Sequence, residues 1–200
     1  MKKLGILISG RGSNFEAIAR NVQAGKIPAT IGVVISNKEE AAGLTIARQM
    51  GLNALCIPSK GKEREAFERE LVAALRQHEV DLVCLAGFMR VLTPYFIREF
   101  KGRILNIHPA LLPSFPGVEA QKQALEYGVK FTGCTVHFVD EGVDTGPVVA
   151  QAVVSVLDDD TVETLSARIL KEEHRVYTEA VNLVIEDKIR IEGRRVLLKK

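Results

Sequence analysis

An asparagine and a histidine stand close together where an apolar run ends, in the segment NIHPALLPSFPG that begins at residue 106. In an extended strand alternate side chains share a face, so Asn106 and His108 are expected to point the same way while Ile107 points into the opposite layer. The pair would bring a polar donor and a protonatable ring to one place. The alternative is a strand end whose polar residues simply meet water.

Three carboxylates in a later loop, DEGVDTG, could complete a catalytic group with this histidine. Asp140, Glu141 and Asp144 are each able to meet His108, and the residues alone do not choose among them. A carboxylate beside a histidine raises the imidazole pKa from about 6.5 and fixes the orientation of the ring. The predicted chemistry uses hydrogen-bond donors and a protonatable group, with no covalent enzyme intermediate.

The other histidines and several serines predict neither a metal centre nor a serine nucleophile. No two of the four histidines have a convincing metal-ligand spacing. None of the serines considered stands in a nucleophile elbow. The weaker histidine candidates follow a helix, lie in a strand that packs in a layer, or fall in the last helix. The residues set aside are His78, His137, His174, Ser13, Ser36 and Ser114.

A glycine-containing turn, SGRGSN, follows the first apolar run. Gly10 and Gly12 allow tight backbone turns, and Ser13 is predicted to cap the next helix. Exposed amides at a helix N-terminus, with Arg11 beside them, form a natural phosphate cradle. A purely structural turn is the alternative. Because the segment lacks the third glycine of a dinucleotide fingerprint and the lysine motif of a P-loop, a monophosphate is the favoured ligand.

A second candidate pocket follows the fourth apolar run, at AGFMRVL, residues 86–92. A Phe, a Met and a Leu just past a strand end could form the wall of a pocket for a flat aromatic ligand. The same residues could equally belong to the core.

The elements that would position these residues alternate along the first half of the chain. Short runs that are apolar nearly throughout predict strands covered on both faces, and amphipathic stretches between them, clearest from Glu63, predict helices. This alternation favours an α/β fold with a doubly wound, mostly parallel sheet, in which ligands gather at the carboxyl ends of the strands. The predicted strands cover residues 4–9, 30–36, 53–58 and 80–87, and RILNIH continues the series.

The second half of the chain departs from this alternation. Runs at 132–139 and 147–157 are joined by DEGVDTG without a helix, which predicts a late antiparallel hairpin. A long final helix is expected to begin near Asp160, with Asp160 as its cap and Glu163 completing a capping box. The tail, IRIEGRRVLLKK, predicts a small hairpin that turns near Gly193.

Composition and charge set the class of protein. The chain has 200 residues, 46% of them hydrophobic, which suits a single domain over residues 1–200. A formal net charge of +2 is too balanced to indicate a nucleic-acid or membrane surface. The first apolar stretch is too short for a signal peptide and no run is long enough to span a bilayer, so we expect a cytoplasmic protein. Cys56, Cys84 and Cys134 lie in apolar runs and are expected to be buried, reduced thiols.

The motifs together resemble a known family. SGRGSN, AGFMRVL, ILNIHPALLPSFPG and HFVDEGVDTGP occur in an order and spacing similar to those of the folate-dependent glycinamide ribonucleotide transformylases, within the wider formyltransferase family. The resemblance covers essentially the whole chain. It implies a Rossmann-like formyltransferase fold and transfer of a formyl group from 10-formyltetrahydrofolate to the amine of 5-phosphoribosylglycinamide, a step of de novo purine synthesis.

The resemblance also implies roles for individual residues. Asn106 and His108 would hydrogen-bond the formyl oxygen as it becomes an oxyanion, and Asp144 would keep His108 charged and help relay a proton. Formyl-folate would be the co-substrate, with no metal. The implied ribonucleotide contacts are Arg11, Gly12, Ser13, Asn14, Lys171 and Glu173. The implied folate contacts are Arg64, Met89, Arg90, Val91, Leu92, Asn106, Asp140, Glu141, Gly142, Val143 and Asp144.

Several alternatives stay open. Arg64 lies in a charge-rich stretch and could belong to a solvated helix face. The rival functions are those of formyltetrahydrofolate deformylases and methionyl-tRNA formyltransferases, which carry additional domains, and a noncatalytic nucleotide-binding α/β protein, which would leave the Asn–His–Asp group without a purpose. Small molecules are the expected partners, and either a monomer or a homodimer fits.

Overall fold

A computed structural model describes residues 1–199 of the chain. It divides into two compact units, Met1–Leu105 and Asn106–Lys200, which are taken in turn. The expectation of a single domain stays a prediction.

The first unit is built on parallel strands, with order β3-β2-β1-β4. The strand β1 pairs in parallel with β2 on one side and with β4 on the other, and β2 pairs in parallel with β3. The elements in chain order are β1 (Lys2–Ile8), α1 (Ser13–Gln23), β2 (Ala29–Ser36), α2 (Ala42–Gln49), β3 (Ala54–Cys56), α3 (Arg64–Gln77), β4 (Leu82–Leu85) and α4 (Pro94–Glu99).

The helix α3 shows how the apolar pattern produces this packing. Phe67, Leu71 and Leu75 recur at helical spacing and are all buried, as the predicted stripe requires. The helix begins after Glu63, whose carboxylate accepts a hydrogen bond from the backbone N–H of Ala66 at 3.0 Å and so satisfies one of the free amides of the first turn.

The second unit is antiparallel in its centre. Its strand order is β5-β6-β7-β9-β8; β6 and β7 are antiparallel, and so are β8 and β9. A single parallel pairing, Val148 with Arg195, joins β7 to β9. The elements are β5 (Ile104–His108), which begins just before the boundary, α5 (Ala120–Tyr127), β6 (Phe131–Phe138), β7 (Val148–Ser155), α6 (Val162–Ile185), β8 (Ile189–Glu192) and β9 (Arg195–Leu198).

The predicted fold class is confirmed: parallel strands alternate with helices, DEGVDTG joins the two strands of a late antiparallel hairpin, and α6 is a 24-residue helix. The predicted cap of α6 is wrong. Thr161 is the N-cap and forms a capping box with Thr164, each side chain accepting the other's backbone N–H. Asp160 instead forms an ion pair with Arg168, with oxygen to nitrogen distances of 2.7 and 2.8 Å.

Two further properties bear on the expectations from sequence. Among residues 1–199, no helix combines the length and the apolar character needed to cross a bilayer. Cys84 and Cys134 are buried free thiols as expected, whereas Cys56 is only half-buried.

Candidate active site

The end of β5 carries the first two residues of the candidate site. Asn106 is half-buried, and His108 is buried on the same face because the strand alternates. Ile107 between them is buried as well, so the strand is covered on both faces. The polar pair therefore does not end in open water, and the alternative of a solvated strand end is wrong for His108.

Asp144 is the one of the three candidate carboxylates whose contact with His108 the structure shows. Its Oδ2 lies 3.3 Å from His108 Nδ1 and accepts the backbone N–H of Gly117 at 2.8 Å. The loop can return this closely to β6 because residue 146 is glycine: a Cβ there would stand 1.7 Å from the carbonyl oxygen of Phe138. Asp144 itself has a left-handed backbone with φ of 55°, a conformation that aspartate tolerates better than most residues.

The other two carboxylates of the loop have different roles. Asp140 Oδ1 accepts hydrogen bonds from the Gly142 N–H at 3.2 Å and from the Thr145 hydroxyl at 2.6 Å, so this side chain holds the shape of the loop. Glu141 is exposed. Gly142 and Val143 are exposed too, where a ligand could contact them.

The protons on His108 follow from its partners. Nε2 lies 2.8 Å from the carbonyl oxygen of Phe115, which can only accept, so Nε2 carries a proton. Burial lowers the pKa of His108 below its ordinary value, while the Asp144 carboxylate and the Phe115 carbonyl act in the opposite direction. When Nδ1 is protonated as well, its contact with Asp144 becomes a charge-assisted hydrogen bond.

The carboxylate of Asp144 is held in its ionised form. Burial raises its pKa, but the nearby His137 ring, the hydrogen bond from the Gly117 N–H and the charge of His108 together outweigh burial and bring the pKa below its ordinary value. At any pH above this lowered pKa, an anion therefore lies beside the imidazole.

His137 is a residue of the site that sequence reasoning missed. Its Nδ1 donates to the carbonyl oxygen of Phe138 at 2.9 Å, which in the neutral ring leaves Nε2 as an acceptor. Nε2 lies 3.2 Å from Asn106 Nδ2 and 3.6 Å from Asp144 Oδ1. One amide N–H of Asn106 is thus held by His137, and the second is left to donate elsewhere. The available signal was an ionisable residue in the apolar strand that follows β5 in the sheet.

The loop between β5 and α5 covers the imidazole of His108. It contains a cis peptide bond at Leu112–Pro113, and Phe115 has a left-handed backbone with φ of 53°. Through the Phe115 carbonyl and the Gly117 N–H, this loop contacts both His108 and Asp144.

The predicted ribonucleotide contacts on α6 differ in exposure. Lys171 is exposed, where it is able to meet an anion. Glu173 is buried. Burial raises the pKa of the neighbouring thiol of Cys134 to about 12, and the charge of Glu173 adds to this rise. Cys134 is therefore an unreactive thiol.

The predicted phosphate cradle belongs to the first unit. Gly12 has a φ of 78°, and a Cβ on it would stand 2.9 Å from the Cα of Gly43 in α2. The Gly43 N–H donates to the carbonyl oxygen of Gly10 at 3.1 Å, so the turn packs tightly on the start of α2. The prediction that Ser13 caps α1 is wrong: Gly12 is the N-cap, with no side-chain cap. Arg11 is exposed and Asn14 is buried.

The segment at Met89–Leu92 and its neighbour Phe88 include residues of both predicted kinds, those of a pocket wall and those of the core. Met89 is 73% exposed and Val91 is 50% exposed, so both are available to a ligand, whereas Phe88 and Leu92 are buried and belong to the core. The segment has no helix or strand of its own, so its backbone groups are left to side chains and solvent.

Two side chains hold the backbone of that segment, and a third holds the residue that follows it. The Ser9 hydroxyl accepts the Met89 N–H at 2.8 Å, and Arg64 Nη2 donates to the Val91 carbonyl oxygen at 3.3 Å. The buried carboxylate of Glu68 accepts the Thr93 N–H at 2.8 Å and the Thr93 hydroxyl proton. Arg64 is exposed, but its contact with Val91 distinguishes it from a purely solvated residue.

Arg90 is half-buried and is held by two contacts. Its Nη1 donates to the Ser59 hydroxyl at 3.2 Å, and its guanidinium lies 5.2 Å from the ring centre of Phe67. No group of three or more His, Cys, Asp or Glu side chains able to hold a metal ion occurs in the described part of the chain.

Comparison with known proteins places these motifs in a family. A family model described as formyl transferase matches residues 2–181. The trifunctional purine biosynthetic protein adenosine-3 of Drosophila melanogaster is 49% identical over 92% of the chain, but the chain spans only 14% of that protein's length.

Two other relatives match over nearly their full length. Phosphoribosylglycinamide formyltransferase of Bacillus subtilis is 40% identical over 92% of the chain and 95% of that protein. The crystal structure of glycinamide ribonucleotide transformylase 1 from Symbiobacterium toebii matches with a TM-score of 0.98 and 52% identity, over 100% of this chain and 95% of that one. The chain therefore belongs to the formyl transferase family.

Proposed function

We propose that this chain transfers a formyl group from 10-formyltetrahydrofolate to the amine of 5-phosphoribosylglycinamide in purine biosynthesis. Family membership and the names of relatives matched over nearly their full length support this reaction. The observation that carries it is the cluster of Asn106, His108 and Asp144, in which two donors share a strand face and the carboxylate lies 3.3 Å from the imidazole.

The cluster suits direct attack of the amine on the formyl carbon. As the new C–N bond forms, the formyl oxygen gains negative charge, which the free N–H of Asn106 and the protonated His108 would stabilise. The bond between the formyl carbon and the folate nitrogen then breaks. The proton lost by the attacking amine is delivered to the departing nitrogen, with Asp144 and His108 as the relay. Loss of one such donor typically slows a reaction by about 100- to 1,000-fold.

Substrate binding must rearrange one contact. His108 Nε2 is engaged by the Phe115 carbonyl at 2.8 Å, and Nδ1 faces Asp144. For the imidazole to donate to the formyl oxygen, the Phe115 carbonyl has to leave Nε2, and the loop that carries it has to shift.

The two ligands would bind mainly at the loops that follow the strands. We assign the phosphate to the turn formed by Arg11, Gly12, Ser13 and Asn14, and the ribonucleotide also to Lys171 and Glu173. The pterin would be lined by the segment Met89–Leu92 and by the loop from Asp140 to Asp144. The carboxylates of the folate tail would meet Arg64 and Arg90. Formyl-folate is then the only cofactor required, acting as a co-substrate.

A pair of incubations tests the reaction. Purified protein with 10-formyltetrahydrofolate should form tetrahydrofolate at a substantial rate only when 5-phosphoribosylglycinamide is present, followed by folate absorbance, with the formylated ribonucleotide identified by mass spectrometry. Release of formate at the same rate in buffer alone would indicate a deformylase. Absence of turnover in both incubations would favour a noncatalytic nucleotide-binding protein.

Assembly and location are further parts of this proposal. A cytoplasmic enzyme with small-molecule substrates, either a monomer or a homodimer, fits the metabolic relatives. Light scattering on an eluting size-exclusion peak distinguishes a mass near 22 kDa from twice that value.

A further inference from the structure

A continuous chain of buried polar groups lies behind the proposed folate-binding segment Met89–Leu92. It begins at the end of β1 with Ser9, passes through Asn37 after β2, and reaches Ser59 after β3. These three residues are 5%, 7% and 7% exposed, respectively. Buried polar side chains are nearly always hydrogen-bonded, so each of these groups is expected to have a partner.

The hydrogen bonds of the chain run in one consistent direction. The Met89 N–H can only donate, so the Ser9 oxygen accepts it at 2.8 Å and gives its own proton to Asn37 Oδ1 at 2.6 Å. This orients the amide of Asn37, whose Nδ2 then donates to the Ser59 oxygen at 3.1 Å. Arg90, which can only donate, gives a proton from Nη1 to the same Ser59 oxygen at 3.2 Å.

The chain starts at Met89 and ends at its neighbour Arg90, with Asn37 at the centre. The amide is the only group in it with an acceptor at one end and a donor at the other, so Asn37 links the two halves. We propose that Asn37 is a positioning residue for folate: through Ser9 it fixes the backbone of Met89, and through Ser59 it fixes the guanidinium of Arg90. This inference rests on the proposed function, because it takes Met89 and Arg90 as folate contacts.

Substitution of Asn37 by leucine tests the role, since leucine has a similar size and no hydrogen-bonding group. Calorimetric titration with tetrahydrofolate is expected to show a Kd raised about 10-fold, the size typical of losing a buried hydrogen-bond partner. The Kd for 5-phosphoribosylglycinamide is expected to stay within about two-fold of the unsubstituted protein, because the cradle is shaped by packing of Gly12 on Gly43. An equal increase in the Kd values for both ligands would indicate a merely structural role and overturn the proposal.

A matched control and a second variant guard against misfolding. Asn53→Leu removes an asparagine whose Nδ2 bonds the Gly32 carbonyl oxygen at 2.9 Å, away from Met89–Leu92, and should leave both Kd values unchanged. Ser59→Ala keeps Ser9 and Asn37 in contact and should still weaken the binding of tetrahydrofolate. An unaltered tetrahydrofolate Kd in the folded Ser59→Ala and Asn37→Leu proteins would overturn the proposal.

A measurement without ligand separates this inference from the proposed function. In Asn37→Leu, amide hydrogen exchange at Met89 should become faster, because the Ser9 hydroxyl loses its fixed orientation. Unchanged exchange at Met89 would overturn the positioning role whatever the protein binds. Faster exchange in a protein whose unsubstituted form binds no tetrahydrofolate would support the polar chain and overturn the proposed function.

Discussion

At the scale of single residues, Asp144 combines a strained backbone with a central charge. Its left-handed φ of 55° is one that asparagine adopts as readily, so exchanging these two residues changes the charge without changing the backbone preference. Its carboxylate accepts the Gly117 N–H, faces His108 Nδ1 at 3.3 Å and lies 3.6 Å from His137 Nε2. The ionised form of this residue is therefore what the surrounding groups are arranged to hold.

Asp144→Asn should abolish most of the activity while the protein stays folded. We expect kcat to fall about 100- to 1,000-fold, because the imidazolium loses its stabilising anion. The assay is folate absorbance, with circular dichroism to check folding. Full activity in this variant would contradict the catalytic assignment.

The same substitution should move the titration of His108. Burial already lowers its pKa, and Asp144 is the largest influence that raises it. In Asp144→Asn the pKa should therefore fall further, so the charged ring is lost at a lower pH. Following the His108 ring proton by NMR across pH 4 to 8 measures this, and a pKa that rises would refute the expected balance of effects.

His137 should act on the rate through Asn106. In His137→Leu the amide loses the acceptor 3.2 Å away and can rotate, so we expect kcat to fall about 10-fold, the effect of one displaced donor contact. His78→Leu is the control, because His78 lies at the end of α3 in the other unit. A drop of equal size in both variants would point to general destabilisation.

At the scale of elements, the exits of strands were predictable and the local caps were not. Apolar runs located β1, β2, β4 and β5, and alternation along β5 placed Asn106 and His108 on one face. Which side chain caps a helix depends on which hydrogen-bond partners compete for it, and the sequence does not rank these partners. At α6, Asp160 forms an ion pair with Arg168, and Thr161 is the N-cap. The role of His137 depends on the register of β6, which no local pattern specifies.

The turn before α1 should tolerate no side chain at Gly12. Gly12→Ala is expected to cost about 1–2 kcal/mol for the left-handed backbone, and its Cβ would also meet Gly43 at 2.9 Å. Gly25→Ala is a matched control, since Gly25 has a φ of 70° with no atom within 4 Å of the added Cβ. Compared with Gly25→Ala, Gly12→Ala should have a lower urea midpoint and a higher KM for the ribonucleotide. Equal effects in the two variants would show that the packing on Gly43 is unimportant.

At the scale of the whole molecule, acid stability should depend on carboxylates in both units. A backbone hydrogen bond from Lys3 is the largest influence that lowers the pKa of Asp81, with Lys2 adding to it, and the pKa of Asp144 is also lowered. A carboxylate with a lowered folded pKa contributes stability that is fully present above the unfolded value of about 3.9. That contribution is lost as the pH falls through the folded pKa.

Urea midpoints measured between pH 6 and pH 3 should therefore decrease, and Asp81→Asn should reduce the size of that decrease. Asp158→Asn is the comparison, because Asp158 is a highly exposed carboxylate whose contact is with Lys130. The same pH dependence in all three proteins would show that Asp81 does not contribute.

The terminal hairpin of β8 and β9 is attached to β7 at one paired position, Val148 with Arg195, and Arg194 donates to the Thr145 carbonyl oxygen at 2.8 Å. Thr145 directly follows Asp144. Transient detachment of the hairpin thus removes a hydrogen bond from the loop that contains Asp144. The hairpin and this loop should therefore unfold locally as one cooperative unit, with matching amide-exchange protection factors well below those of β6.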